Sequence, residues 1–338
     1  MNESLKIRFA WAILLSVALL GCDGEGKQSD LELVDHYLDL SNGNTMHYYD
    51  VGKLRGKVLL LVHGYPASAY LYRHIIRDLC GASNSPYRCI AMTHIGFGKS
   101  SCPGDGSAIS PLYEVDQLEA FIERMGIDDF AAIVHDWGGP IGTAAALRHV
   151  DKLTHLVLLN TILTLPPDGA LHSLMATTKE YFSEPRPFLE RIYPHLVSVL
   201  MQMMTSTRLS EDVRSIYASP FTGEAGRCRV HATANLFSKA KQDEKLFDEI
   251  ATNLKSNWSM RPAVFVWGTG DPILGLGSER GLASFKRNQI LLPQAATHRI
   301  GDANHFLPED KPAEISQEIR RFLSDVDDEA AVPVPIAH

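Results

Sequence analysis

Short apolar runs recur along the chain from residue 31 onwards, each of strand length and each followed by a stretch with helical spacing. The clearest runs are Val58 to Val62, Ala131 to Val134, His155 to Leu159 and Ala263 to Trp267. They are continuous rather than alternating, as expected of strands buried on both faces. Between and after them the spacing predicts helices over Ser68 to Leu79, Tyr113 to Met125, Pro140 to His149 and Pro312 to Ser324. This alternation builds an α/β domain, a mostly parallel central sheet flanked by helices. From 165 to 256 the alternation stops, and a helical segment is broken into short pieces by Pro185, Pro187, Pro194 and Pro220. An excursion between two strands of a parallel sheet sits over their carboxyl ends, where such sheets bind ligands, so the segment is expected to be a cap. The core is then residues 31–164 and 257–325. The acidic tail with Val-Pro-Val-Pro, residues 326–338, is expected to be disordered.

The amino terminus changes the picture of where the chain works. Lys6 and Arg8 precede the apolar run Phe9 to Leu20, too short to span a bilayer but suited to a signal peptide. The run ends in Leu19-Leu20-Gly21-Cys22, which resembles the bacterial lipoprotein box. That resemblance implies a signal peptide over 1–21, lipidation at Cys22, a polar tether over 22–30, and an exported protein anchored to a membrane on its periplasmic side. In an oxidising compartment the remaining Cys80, Cys89, Cys102 and Cys228 form an even set. Cys80 and Cys89, nearest in sequence, are the favoured pair, with reduced buried cysteines as the alternative.

The chain of 338 residues is 45% hydrophobic, enough for a full core, and its net charge is -8. Without a concentrated run of Lys and Arg, a nucleic-acid partner is excluded, and a small neutral substrate fits better. No cysteine pair has metal-site spacing. Neither metal nor cofactor is expected, and no protein partner.

Val134-His135-Asp136-Trp137-Gly138-Gly139 follows a buried strand and precedes a helix, the context of a nucleophile elbow with aspartate at its apex. A helix cap is the plainer job for such an aspartate, but the small residues around the turn favour the elbow. A carboxylate is ionised at neutral pH and needs no base to attack. Attack on an acyl carbon would give an anhydride, whereas displacement at a saturated carbon gives an ester that water can hydrolyse. The base for that water is His305, in Ile300-Gly301-Asp302-Ala303-Asn304-His305-Phe306, and Asp271 in Gly268-Thr269-Gly270-Asp271-Pro272 is its acid partner. His135, His94 and His298 compete for the histidine role and Asp302 for the acid. The His63-Gly64-Tyr65-Pro66 loop follows the first buried strand, and the amides of Tyr65 and Trp137 would form an oxyanion hole.

With these residues in place, residues 31 to 324 resemble the haloalkane dehalogenases and the related epoxide hydrolases of the α/β-hydrolase fold. His63 to Arg73, Ile95 to Ser100 and Gly268 to Gly275 look more like the dehalogenases; the His-Asp-Trp-Gly-Gly elbow occurs in both. The dehalogenase resemblance implies Trp137 as a halide donor through its indole N–H. Its second donor is a cap tryptophan or an asparagine after His-Gly, and this chain departs from both: the cap has no tryptophan and the position holds Tyr65. The epoxide hydrolase resemblance implies cap tyrosines as ring-opening acids, and Tyr181, Tyr193 and Tyr217 are the candidates here. The expected activity is hydrolysis of a small apolar halogenated alkane through an aspartyl ester. The alternatives are an epoxide hydrolase and a lipoprotein that binds a ligand without turnover.

Overall fold

A computed structural model describes residues 32–165, 187–239 and 243–331. The chain divides after Glu32, and the unit that begins at Leu33 contains the fold described below. Its strands are β1 (His36–Asp39), β2 (Thr45–Gly52), β3 (Lys57–Val62), β4 (Tyr87–Met92), β5 (Phe130–Asp136), β6 (Leu153–Thr161), β7 (Ala263–Gly268) and β8 (Ala296–Ile300). They form one sheet in the order β1-β2-β4-β3-β5-β6-β7-β8. The β1/β2 and β2/β4 pairs are antiparallel, and every pair from β4 through β8 is parallel. The continuous apolar runs are the central strands: Leu59 to Val62 and Ala132 to Val134 are almost wholly buried. At the edges the pattern loosens, and β1 alternates between half-buried and exposed positions.

The longer helices are α1 (Arg73–Cys80), α2 (Pro111–Arg124), α3 (Gly138–Arg148), α4 (Pro187–Met203), α5 (Glu211–Ala218), α6 (Gly223–Lys239), α7 (Glu244–Asn253), α8 (Glu279–Leu291) and α9 (Pro312–Ala331), and a single helical turn, Leu307–Asp310, precedes α9. Their starts follow from local chemistry. Ser110 accepts from the Tyr113 amide at 3.2 Å ahead of Pro111, whose missing N–H is harmless in a first turn. The stretch predicted as one helix from Ser68 opens instead with a 3-10 turn over Ala69–Tyr72 before α1.

Two boundaries differ from those expected. The insertion between β6 and β7 contributes α4, α5 and α6, but α7, expected within the cap, lies against core helix α3, and Glu249 ion-pairs with Arg148 at 3.5 Å. Its Leu246, Phe247 and Ile250 are buried, so the helix serves as a core crossover. The tail expected to be disordered from 326 instead continues α9 through Ala331, where Glu329, Ala330 and Ala331, all good helix formers, extend a helix already under way. Residues 332–338 lie outside the described residues.

Two disulfides tie elements together, one local and one long-range. Cys80–Cys89 ties the end of α1 to β4, and Cys102–Cys228 ties the loop after β4 to cap helix α6. Among the described residues no helix is long and apolar enough to cross a membrane. The signal peptide and Cys22 lie outside them.

Candidate active site

Strand β5 ends at Asp136, whose φ is +50°. A non-glycine residue in that region is strained by roughly 1–3 kcal/mol and persists where its surroundings impose it. Close packing imposes it here. A Cβ on Gly138 would lie 2.3 Å from the Val62 carbonyl oxygen, and one on Gly64 would lie 2.2 Å from Oδ1 of Asp136 itself. Thr161 Oγ1 donates to the Asp136 carbonyl at 2.5 Å, closing the turn from the β6 side.

The carboxylate of Asp136 is held on both oxygens. Oδ1 accepts the Tyr65 amide at 2.9 Å, the Trp137 amide also bonds to the carboxylate, and Oδ2 lies 3.2 Å from Nε2 of His305. Nδ1 of His305 meets Oδ2 of Asp271 at 2.8 Å. Asp271 is fixed in turn by the Ile273 and Leu274 amides on Oδ1, at 2.7 and 2.9 Å, and by Asn160 Nδ2 on Oδ2, at 2.7 Å. Asn160 also accepts from the Gly268 amide at 2.7 Å, linking β6 to β7. Sequence reading missed Asn160; the available signal was an amide directly after the buried run Leu156 to Leu159. All these groups sit at or just beyond the carboxyl ends of the parallel strands.

Burial and neighbouring charge set the protonation states. Burial disfavours a charged His305, but Asp271 and Asp136 outweigh it and raise its pKa to about 10. Asp271 is lowered to about 2 against its own burial by the His305 charge and its hydrogen bonds. Asp136 is also lowered, against burial, chiefly by His305 and with help from the Trp137 amide. The resting site is therefore an imidazolium between two carboxylates. His135, pushed down to about 4 mainly by burial, stays neutral, and its Nε2 donates to the His305 carbonyl at 2.7 Å.

The remaining candidates separate. Tyr65 is buried with its ring centroid 4.3 Å from that of Phe97 and 6.5 Å from that of Trp137, and its hydroxyl meets no hydrogen-bond partner among the described residues. Of the cap tyrosines, Tyr217 donates its hydroxyl to Glu309, which also takes a two-pronged ion pair from Arg73. Tyr193 hydrogen-bonds with Thr233. Tyr181 lies outside the described residues. His94 is engaged with the His63 carbonyl and Glu114, at 2.9 and 3.2 Å, and His298 with Glu318 at 3.0 Å. Asp302 takes a turn with φ +54°, and its carbonyl accepts Ser206 Oγ at 2.5 Å.

Two features lie elsewhere. A cavity of about 170 Å3, bordered by Val58, Phe130, His155 and Leu323, opens at the amino ends of the strands, the far end of the sheet from Asp136. Glu119, Glu123 and His149 bring one potential metal ligand each within 4.8 Å of one another, but Glu119 already pairs with Arg148 at 2.8 Å.

The family model for the alpha/beta hydrolase fold matches residues 57–312. A cis-3-alkyl-4-alkyloxetan-2-one decarboxylase of Xanthomonas campestris pv. campestris is 32% identical over 85% of this chain and 94% of its own. A haloalkane dehalogenase of Mycolicibacterium paratuberculosis is 30% identical over 86% of this chain and 92% of its own. Among solved structures, the haloalkane dehalogenase DbeA from Bradyrhizobium elkani is similar in fold, with a TM-score of 0.73 at 21% identity, covering 88% of this chain and 100% of that one.

Proposed function

Because the chain belongs to the alpha/beta hydrolase fold family and is haloalkane dehalogenase-like within it, we propose that it hydrolyses small halogenated alkanes through an ester on Asp136. The observation that carries this reading is the seating of the Asp136 carboxylate, with Oδ1 on the Tyr65 amide at 2.9 Å and Oδ2 at 3.2 Å from His305. Oδ2 attacks the halogen-bearing carbon in line with the bond that breaks, and the halide leaves with the bonding pair. The ester carries no charge, so His305 loses one of the two carboxylates that hold its proton. That proton goes to solvent, and the neutral imidazole takes a proton from water as the water attacks Cγ of Asp136. The amides of Tyr65 and Trp137 hold the oxyanion on that carbon. Collapse expels the alkoxide, which takes the proton from His305 and leaves as the alcohol, and the carboxylic acid left at Asp136 passes the water's second proton to His305, restoring the resting carboxylate and imidazolium. The Trp137 indole N–H and the buried Tyr65 hydroxyl are the proposed donors to the departing halide.

The engagement of Tyr217 and Tyr193 with partners of their own weighs against epoxide opening by those two groups. The decarboxylase relative supports a second reading, a strained oxetan-2-one substrate that would lose carbon dioxide. The box at Cys22 and the two disulfides support the further reading of an exported, membrane-anchored lipoprotein.

One comparison tests the proposal: purified protein is offered 1-bromobutane, styrene oxide and a dialkyl oxetan-2-one, and bromide, diol and carbon dioxide are measured. Bromide release that disappears in Asp136→Asn is the expected result. Carbon dioxide alone moves the assignment to the second reading, diol alone to epoxide hydrolysis, and silence with all three favours a binding protein.

A further inference from the structure

The loop that carries His305 has no strand or helix of its own, so its position depends on where its backbone groups find partners. On the core side, His135 Nε2 donates to the His305 carbonyl and the Gly270 amide donates to the Ala303 carbonyl at 2.9 Å. The other side is held by the cap. The Phe306 amide, directly after His305, donates to the Met204 carbonyl at 3.1 Å, just beyond α4. The Asn304 amide, directly before it, donates to Oδ2 of Asp310 at 2.7 Å. Oδ1 of the same carboxylate takes the amides of Ser206 and Thr207, both at 2.8 Å. One buried carboxylate thus joins the residue preceding His305 to the cap segment between α4 and α5, by three bonds to a charged acceptor.

We propose that Asp310 is a positioning residue for His305, fastening its loop to cap residues 204–207 so that the cap sets where the imidazole points. The inference rests on the reading of Asp136 and His305 given above. Asp136 is fixed by its own turn and by the Tyr65 and Trp137 amides, none of which depends on Asp310. Ester formation therefore tolerates a shifted imidazole, and delivery of water to the ester does not.

The experiment uses Asp310→Asn, which keeps the shape but removes the charge and one acceptor, with Asp116→Asn, a partner of Arg148 on the surface, as the control for a lost carboxylate. With 1-bromobutane, single-turnover bromide release by Asp310→Asn should stay within about threefold of the parent, while steady-state turnover falls on the order of 10- to 100-fold, the scale of a misplaced catalytic group. The butyl ester on Asp136 should accumulate and be seen by mass spectrometry. Without substrate, the low-field proton of the His305–Asp271 bond should shift or broaden in Asp310→Asn and be unchanged in Asp116→Asn. If Asp310→Asn does not fold, Asp310→Glu keeps the charge but displaces both oxygens and should give a smaller shift. A parental proton resonance together with parental partition between the two steps, in either folded variant, overturns the proposal. If the parent itself releases no bromide, the dehalogenase reading fails, and the proton resonance alone decides the positioning role.

Discussion

Nε2 of His305 faces the carboxylate oxygen of Asp136 that the Tyr65 amide leaves free, at 3.2 Å. One oxygen is thus anchored by backbone and the other shared with a base. The carboxylate is pre-aimed before any substrate arrives, and the base stands on the atom that would become esterified.

Replacing His305 with Gln should separate the two halves of the reaction. Bromide is expected at one equivalent per protein, followed by steady-state turnover lower by about 10³-fold or more. An alkyl adduct on the peptide containing Asp136 is the accompanying mark. Continued turnover near the parental rate would remove His305 from the mechanism.

The charge arrangement also sets a pH signature. Free His305, raised to about 10, is protonated at pH 8, and esterification removes one of the charges that hold the proton. Stopped-flow measurements in weak buffer with an indicator dye should therefore show proton release in step with the bromide burst. At the acid end, Asp136 is lowered from the usual carboxylate value, so the acid limb of kcat/KM should fall at lower pH than for an unperturbed aspartate. A bromide burst with no proton, or a fall in kcat/KM near pH 6, would contradict the arrangement.

Gly64 tests the close approach at the elbow. A methyl group there would lie 2.2 Å from Oδ1 of Asp136, against backbone-fixed atoms with little room to retreat. Gly64→Ala should reduce bromide release on the order of 100-fold and destabilise the fold by about 1–3 kcal/mol in chemical denaturation. Parental activity in that variant would mean that the loop and the elbow move apart without consequence.

Tyr217 distinguishes a structural tyrosine from a leaving-group acid. Its hydroxyl donates to Glu309, and Arg73, paired with the same carboxylate, lies 4.3 Å over the Tyr70 ring. Tyr217→Phe should retain bromide release within a fewfold and lose about 1–3 kcal/mol of stability, and Glu309→Gln should lose about 3–5 kcal/mol by stranding Arg73. A collapse of turnover in Tyr217→Phe without loss of stability would return Tyr217 to the reaction.

The parts of this protein legible in sequence are those where a local pattern has one physical solution. Runs such as Leu59 to Val62 could only be buried strands, and the residues from Val134 to Gly139 fit a tight strand-to-helix corner. The spacing of Asp136, Asp271 and His305 followed from the order of elements, and the three side chains do meet. Strand β8, Ala296–Ile300, was invisible because an edge strand with half-exposed Thr297 and His298 carries no continuous apolar signal. Helix α7 has an ordinary amphipathic pattern, which says that one face is buried but not whether cap or core covers it. Asn160, Glu309 and Asp310 act through partners 92 or more residues away or through backbone amides, and neither kind of partner leaves a mark near the residue itself.

The Cys102–Cys228 bond bolts one edge of the roof above Asp136, and the carboxylates of Glu309 and Asp310 bolt another. A roof secured at separate edges does not swing as a door. For the described part of the cap, movement past these fastenings is then left to side-chain fluctuation rather than to a hinge. Under the dehalogenase reading, bulk rather than reactivity would then be the first filter on substrates.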